Sequence, residues 1–206
     1  MNELYMIHAN AHDMKINTNA LLRRLKISKP DESMQHLITE CINIVYDNAN
    51  LRAVYRSNKI TVDKEKNEID FGYMKLQSCN LRVNLTGCNE AFVFVATLGV
   101  EIDRIIEKYS KVLQTKALIC DTVALFLIES FCDYINEFLT GKMKSKARFS
   151  PGYGDLSISY QKDIIENLDT ARRIGVTLTD SYLMVPTKSV SAIIGVTRRH
   201  GYTKKA

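Results

Sequence analysis

The stretch that decides the fold runs from residue 91 to residue 106 and reads AFVFVATLGVEIDRII. Its first six residues, Ala91–Ala96, are all apolar, which predicts a central strand buried on both faces. Gly99 follows, and the apolar residues after it recur every three or four positions, which predicts an amphipathic helix. A buried strand that leads into a helix indicates a mixed α and β fold.

Helical patterns lie on both sides of this stretch. The segment 115–139 is apolar over more than half of its helical circumference, which predicts the central core helix. Glu129 and Asp133 lie one turn apart on it, either at its solvent edge or facing a partner. Asn17 or Thr18 is a candidate cap for a helix through Leu25. Pro30, followed by two acidic residues, predicts the start of a further helix.

Residues 52–97 read as strands joined by turns. Apolar residues alternate with polar ones in two places, at Ile69/Phe71 and at Leu81/Val83/Leu85, as in strands with one buried face. We expect turns at Asn58-Lys59 and Asp63–Glu68. Beyond residue 148 we expect a helix over Ser159–Leu168 and strands over Ile174–Thr179 and Ser189–Val196. The fold class is therefore α+β.

Length and composition exclude several classes of protein. The chain has 206 residues and a mass of 23.4 kDa, with 46% hydrophobic and 25% charged residues, as in a globular domain. The apolar runs are too short for a bilayer span, and the first residues do not read as a secretory signal. Five cysteines without a CxxC pair indicate reduced thiols. We expect a cytoplasmic protein that contacts no membrane.

The net charge of +5 is concentrated in two segments, 141–150 and 197–206, each of which carries +4. These segments are either a solvated loop and tail, or a surface for an acidic partner or an anionic ligand. Few aromatic residues interleave with the basic ones and no nucleic-acid motif occurs, so we expect no nucleic-acid partner.

Motifs of common catalytic sites are absent from the sequence. No G-x-S-x-G elbow, Rossmann fingerprint or P-loop occurs. His8 and His12 have the spacing of metal ligands on one helical turn, but both are near the N-terminus, and we assign no metal site.

The segment Arg148-Phe-Ser-Pro-Gly-Tyr-Gly154 is the most informative local feature. Pro151 favours an extended Ser150, and Gly152 allows a close approach of backbone to a ligand. Arg148 offers a planar fork that suits a carboxylate. Tyr153 offers a ring face for a heterocycle or a cation. This segment therefore suits a zwitterionic, aromatic ligand, although a surface turn is the simpler alternative.

The same segment opens an ordered series of motifs that resembles a known family. The series continues with Gln161-Lys, Leu168-Asp169, RIGVTLTDS from Arg173, Met184, Pro186 and KSVSAIIG from Lys188. It resembles the activation (reactivation) domain of cobalamin-dependent methionine synthase, in its small, free-standing form. The resemblance is dense over 148–195, moderate over 91–133 and poor over 1–90.

This resemblance implies a C-shaped, single α+β domain over residues 1–206, with a bent antiparallel sheet, flanking helices and the ligand-binding part in 91–206. It implies a module that binds S-adenosylmethionine and presents the methyl donor for reductive methylation of cob(II)alamin. The cobalamin is carried by a separate synthase that lacks its own activation domain, and flavodoxin or a similar carrier supplies the electron. The chain is then an accessory subunit of a methyltransferase, in methionine biosynthesis, and not a complete enzyme.

The resemblance also assigns ligand-binding residues by position. Arg148 matches the arginine that holds the ligand carboxylate, and Tyr153 the tyrosine beside the ligand. Ser150 and Gly152 match positions whose backbone lines the ligand. Glu129 matches an acid near the site, and Tyr202 a second tyrosine. No residue in 1–90 is assigned, and no catalytic side chain is expected.

Two alternatives stay open. One is a sensor or binding module that retains the S-adenosylmethionine pocket without a synthase partner. The other is a nucleic-acid or scaffold protein that uses the basic segments.

Overall fold

The computed structural model of the protein describes residues 3–197. Its centre is an antiparallel sheet of five strands, curled into a half-barrel. In spatial order the strands are β1 (Tyr5–Ala9), β2 (Leu51–Lys59), β6 (Glu90–Thr97), β10 (Ser189–Thr197) and β7 (Lys144–Ser145). The α+β class and the bent antiparallel sheet expected from the sequence are confirmed.

Strand β6 is the central strand that the apolar run predicts. It pairs with β2 on one edge and with β10 on the other, so that Phe94 lies between Tyr55 and Ala192. Successive side chains of a strand point to opposite faces of the sheet. Phe94 therefore belongs to the hydrophobic cluster on one face, and its neighbours Val93 and Val95 belong to the cluster on the other.

Four helices cover the face on which Phe94 lies: α1 (Thr18–Arg24), α2 (Glu32–Asn48), α4 (Val100–Val112) and α5 (Gln114–Thr140). Helix α5 is the predicted core helix, and α2 and α4 pack against it. The predicted helix starts are confirmed, because Asn17 caps α1 and Asp31 caps α2 through hydrogen bonds to backbone N–H groups at 3.0 and 2.8 Å. Within residues 3–197, none of the helices has the length and apolar character needed to cross a membrane.

Shorter elements cover the opposite face. They are the helices α3 (Cys79–Asn84), α6 (Gln161–Asn167) and α7 (Thr170–Ile174), the small sheet of β3 (Thr61–Asp63), β4 (Glu68–Asp70) and β5 (Lys75–Gln77), and the hairpin of β8 (Thr177–Leu178) and β9 (Met184–Val185). Together with the buried side chains of β6 they form the second hydrophobic cluster. The sheet thus has a core on each face.

The strand predicted over Leu81, Val83 and Leu85 is wrong, because these residues lie in and just after helix α3. Ser78 caps the helix by accepting a hydrogen bond from the Leu81 N–H at 2.9 Å. Leu81 and Leu85 are buried while Val83 is 57% exposed. The two buried leucines are four positions apart, as on one face of a helix. A strand would have placed all three side chains on the same face.

Two other local predictions differ from the structure. Asn58 and Lys59 do not form a turn but continue β2, because the Asn58 side chain is buried and donates a hydrogen bond to the Phe71 carbonyl at 3.1 Å. The strand expected over 174–179 shortens to β8, because Ile174 ends α7 and Gly175 follows in the left-handed conformation (φ +71°).

Candidate functional site

The chain around Arg148 extends the edge of the half-barrel. Lys146 donates its N–H to the Gly195 carbonyl at 2.9 Å, and Phe149 and Ile193 exchange two backbone hydrogen bonds of 3.0 and 2.8 Å. Arg148 lies between Lys146 and Phe149, so these backbone hydrogen bonds fix its backbone against β10. Its guanidinium thereby reaches the side of α5.

The guanidinium of Arg148 joins two acids of α5. Its Nη1 donates to Asp133 Oδ1 at 2.6 Å, and its Nη2 donates to Glu129 Oε2 at 3.1 Å. The Arg148 side chain is 24% exposed, whereas the two acids are 76% and 55% exposed. Burial alone would lower the pKa of Arg148, but the hydrogen bond to Asp133 and the charges of both acids outweigh it and raise that pKa. Arg148 is therefore a fixed, permanently charged group at this position.

This ion-pair cluster lies in a cleft of about 750 Å³, within the usual range for small-molecule sites. The cleft is lined by both apolar and polar groups, with Phe149 and Val190 among the former. The polar lining residues include Asn84, Glu129, Asp133, Asn136, Lys146, Arg148, Ser150 and Tyr153. The cleft thus combines charged groups of both signs with an exposed aromatic ring.

Residues 150–153 form a tight turn at the rim of the cleft. The Tyr153 N–H donates to the Ser150 carbonyl at 3.1 Å, Pro151 is buried, and Gly152 has φ +92°. Proline at the second position and a positive φ at the third are typical of a type II turn. The Tyr153 side chain is 66% exposed, and its ring lies edge-on against Phe149, with centroids 6.4 Å apart. The turn therefore presents a free aromatic face to the cleft.

Helix α3 is hydrogen-bonded to both flanks of the Arg148–Gly154 segment, through one contact region at the start of the helix and one at its end. At the start of the helix, Asp155 accepts hydrogen bonds from the Ser78 hydroxyl and from the backbone N–H groups of Cys79 and Asn80. At its end, the Asn84 Nδ2 donates to the Ala147 carbonyl at 3.2 Å. Both flanks of the Arg148–Gly154 segment are thus tied to one short helix.

The hydrogen bonds between Asp155 and the start of α3 also determine the charge of the Asp155 carboxylate. The pKa of Asp155 is held below its usual value, first by the Ser78 hydroxyl and then, against some desolvation, by the N–H groups of Asn80 and Cys79. The carboxylate is therefore ionised at neutral pH and serves as a permanent acceptor for the helix N-terminus.

Most of the predicted site residues come together here. Arg148, Glu129, Ser150 and Tyr153 all line the cleft. Gly152 forms the adjoining turn but is not among the lining residues, and Tyr202 lies outside the described residues.

Sequence reasoning missed several lining residues. The spacing of Asp133 from Glu129 was a usable signal for this second acid. Nothing local pointed to Asn84, because its contact with Ala147 spans 63 residues of chain.

The two N-terminal histidines do not share a helical turn. His8 lies in β1, and His12 lies in a short 3-10 helix over Ala11–Asp13, where its Nε2 is 3.1 Å from Asp47 Oδ1. Across the described part of the chain, no group of three or more His, Cys, Asp or Glu side chains is arranged to hold a metal ion.

The basic segment 141–150 contributes Lys146 and Arg148 to the lining of the cleft. Lys142 and Lys144 are exposed, and Lys146 is half-buried and lines the cleft. One of the two basic segments thus reaches the candidate site, whereas the basic residues of the other, 198–205, lie outside the described residues.

Comparisons with known proteins agree with this picture. The family model described as vitamin B12 dependent methionine synthase, activation domain, matches residues 84–204, more than half of the 206 residues. A similar solved structure is the crystal structure of the MetH reactivation domain bound to AdoHcy, with a TM-score of 0.71 and 14% sequence identity. That match covers 98% of this chain and 81% of the other, so the likeness in fold includes the N-terminal region that the family model leaves unmatched. No curated protein sequence matches the chain.

Proposed function

Because the chain belongs to the family of vitamin B12-dependent methionine synthase activation domains, we propose that its cleft binds S-adenosylmethionine and presents it to cobalamin held by a separate synthase. The observation that carries this proposal is the Arg148–Glu129–Asp133 cluster, which places one cation and two carboxylates in a cleft of ligand size. An amino acid in its zwitterionic form needs complementary groups of both signs.

The described residues fit the amino-acid end of this ligand. Arg148 is the cation for its carboxylate, because a guanidinium forms strong, charge-assisted hydrogen bonds to a carboxylate. Glu129 is the acceptor for its ammonium, since it lies beside Arg148 and is partly exposed to the cleft. These two residues would orient the ligand from one end.

The turn at the rim fits the other end. The exposed ring of Tyr153 offers a stacking surface for an adenine base or a contact for the sulfonium. Ser150 lines the cleft, and the adjoining Gly152 has no Cβ that would hold a ligand away from its backbone. The AdoHcy bound to the structurally similar MetH domain is consistent with this assignment.

The contribution of the chain to the reaction is positioning. When bound, S-adenosylmethionine would supply an activated methyl group, and reduced cobalamin held by the partner would be its acceptor. Arg148 and Glu129 fix one end of the ligand and Tyr153 covers it, which limits its motion and excludes water from that side. No side chain of this chain needs to give or take a proton.

Calorimetric titration with S-adenosylmethionine tests the binding. We expect saturable binding to the wild type and a loss of ~1.5–3 kcal/mol in the Arg148→Ala variant, as is typical when a hydrogen bond to a charged group is removed. Arg104→Ala is the matched control, since Arg104 also pairs with an acid but lies on α4, outside the cleft. Equal affinities of the wild type and Arg148→Ala would contradict the assignment.

The partner is proposed from the family. A cobalamin-dependent methionine synthase without its own activation domain is the expected recipient, and flavodoxin or a similar carrier the electron donor. The test uses such a synthase with its cobalamin oxidised. Adding the purified chain, S-adenosylmethionine and the reduced carrier should restore the activity of the synthase. If the chain binds the ligand but never restores activity, it is instead an S-adenosylmethionine sensor without a synthase partner.

Two further points are proposed together with this function. The N-terminal half belongs to the same unit, which is supported by the packing of α2 on α5. The protein works in the cytoplasm, which is supported by its five unpaired cysteines, three of them buried.

A further inference from the structure

Arg148 is paired by side chains of its own chain. Both terminal nitrogens of its guanidinium donate to carboxylates, to Asp133 at 2.6 Å and to Glu129 at 3.1 Å. A guanidinium exposed in a cleft would otherwise attract any anion of suitable size. The two acids occupy both terminal nitrogens, so a free anion that enters the cleft, which Lys146 also lines, finds Arg148 already taken.

The two acids are not equivalent. Asp133 makes the shorter contact, and its side chain is 76% exposed, against 55% for Glu129. Among the described residues, the Asp133 carboxylate has one hydrogen-bond partner, Arg148. An exposed side chain with a single ion pair moves away at little cost, because such pairs are weak. Asp133 is therefore the acid that can yield its place to a ligand carboxylate.

We propose that Asp133 is a specificity-determining residue of the cleft, which occupies Arg148 and excludes adenine nucleotides that carry phosphate groups. This inference rests on the proposed function, since it assumes that the cleft receives an adenosine-containing ligand. S-adenosylmethionine brings two positive charges with its carboxylate, so it compensates for the displaced Asp133. A nucleotide such as AMP shares the adenosine but brings no positive charge to compensate for a displaced Asp133, so it does not take that place beside Arg148.

The test compares three ligands on the wild type and on Asp133→Asn by calorimetry. AMP carries only negative charge next to its adenosine, S-adenosylmethionine is a cation with a carboxylate, and decarboxylated S-adenosylmethionine is a cation without one. We expect Asp133→Asn to bind AMP about three- to tenfold more tightly than the wild type does. Decarboxylated S-adenosylmethionine should bind no more tightly, because it has no group that competes for Arg148.

Two controls separate a local contact from a general charge effect. Glu137→Gln removes a negative charge one turn further along α5, from a residue that does not line the cleft, and should leave AMP binding unchanged. In the double variant Asp133→Asn/Arg148→Ala the gain in AMP affinity should disappear, because the gain depends on the guanidinium.

The outcomes distinguish this inference from the function on which it rests. If the wild type binds S-adenosylmethionine but Asp133→Asn gains no affinity for AMP, the exclusion role is wrong and the proposed function stands. The role is equally overturned if Glu137→Gln produces the same gain. If neither S-adenosylmethionine nor AMP binds to either protein, both proposals fail.

Discussion

The carboxylate of Asp155 accepts the backbone N–H of Cys79 at 2.7 Å, across 76 residues of chain. This contact attaches the end of the Arg148–Gly154 segment to the first turn of α3. Ser78 and Asn80 donate to the other oxygen of the same carboxylate. The position of the candidate ligand segment therefore depends on a helix far away in the sequence.

Removal of this carboxylate should weaken ligand binding as well as the fold. In Asp155→Ala the segment loses its attachment to α3, so we expect a lower unfolding temperature and a several-fold weaker affinity for S-adenosylmethionine. Asp31→Ala is the matched control, because Asp31 caps α2 in the same manner but lies outside the cleft. It should lower the unfolding temperature alone. A normal affinity in Asp155→Ala would show that the attachment does not shape the site.

The same carboxylate predicts a dependence of stability on pH. Its pKa in the folded protein is below the ordinary value of 3.8. A lowered pKa stabilises the folded state at any pH above that ordinary value, and this contribution is lost as the pH falls through the lowered pKa. The difference in unfolding free energy between wild type and Asp155→Asn, measured with denaturant, should thus be larger at pH 7 than at pH 3. A difference that does not change with pH would contradict this account.

Gly154 should tolerate a side chain less well than another glycine with a positive φ, because Asn80 would have to move. It has φ +55°, and a Cβ built on it would lie 2.1 Å from the Asn80 Nδ2. Gly87 also has a positive φ, +81°, but its Cβ would meet nothing within 4 Å. Gly87→Ala should therefore cost only backbone strain, about 1–2 kcal/mol, while Gly154→Ala should cost more and also weaken ligand binding. Equal losses in denaturant titrations would show that the contact with Asn80 relaxes freely.

The basic segment should attract an acidic partner. Lys142→Glu/Lys144→Glu reverses two exposed charges just before the cleft-lining Ser145 and leaves Lys146, which lines the cleft, unchanged. We expect about tenfold weaker binding to flavodoxin or to the cobalamin-loaded synthase at low salt, and a smaller effect at high salt, where ions screen the charges. Lys64→Glu/Lys66→Glu, in an exposed turn that does not line the cleft, is the control. Unchanged affinity at low salt in the first double variant would exclude docking through this segment.

Elements with a strong local pattern were predictable from the sequence. Strand β6, helix α5 and the capped starts of α1 and α2 follow from apolar periodicity and from residues that bond to their own backbone. Helix α3 was not predictable in this way. Its apolar residues, at alternate positions, fit a strand as well as a helix, and only the pocket into which Leu81 and Leu85 pack distinguishes the two.

In the candidate site, too, some features follow from local sequence and others from tertiary contacts. The sequence alone determined the residue types of the Arg148–Gly154 turn and the one-turn spacing of Glu129 and Asp133, because proline, glycine and helical periodicity act on near neighbours. The tertiary structure decided that Arg148 reaches both acids, and that Asn84 and Asp155 hold the segment to α3. Those contacts join residues 15 to 76 positions apart. Their distances are set by how β10, α5 and α3 pack in the folded protein, and no local pattern encodes that packing.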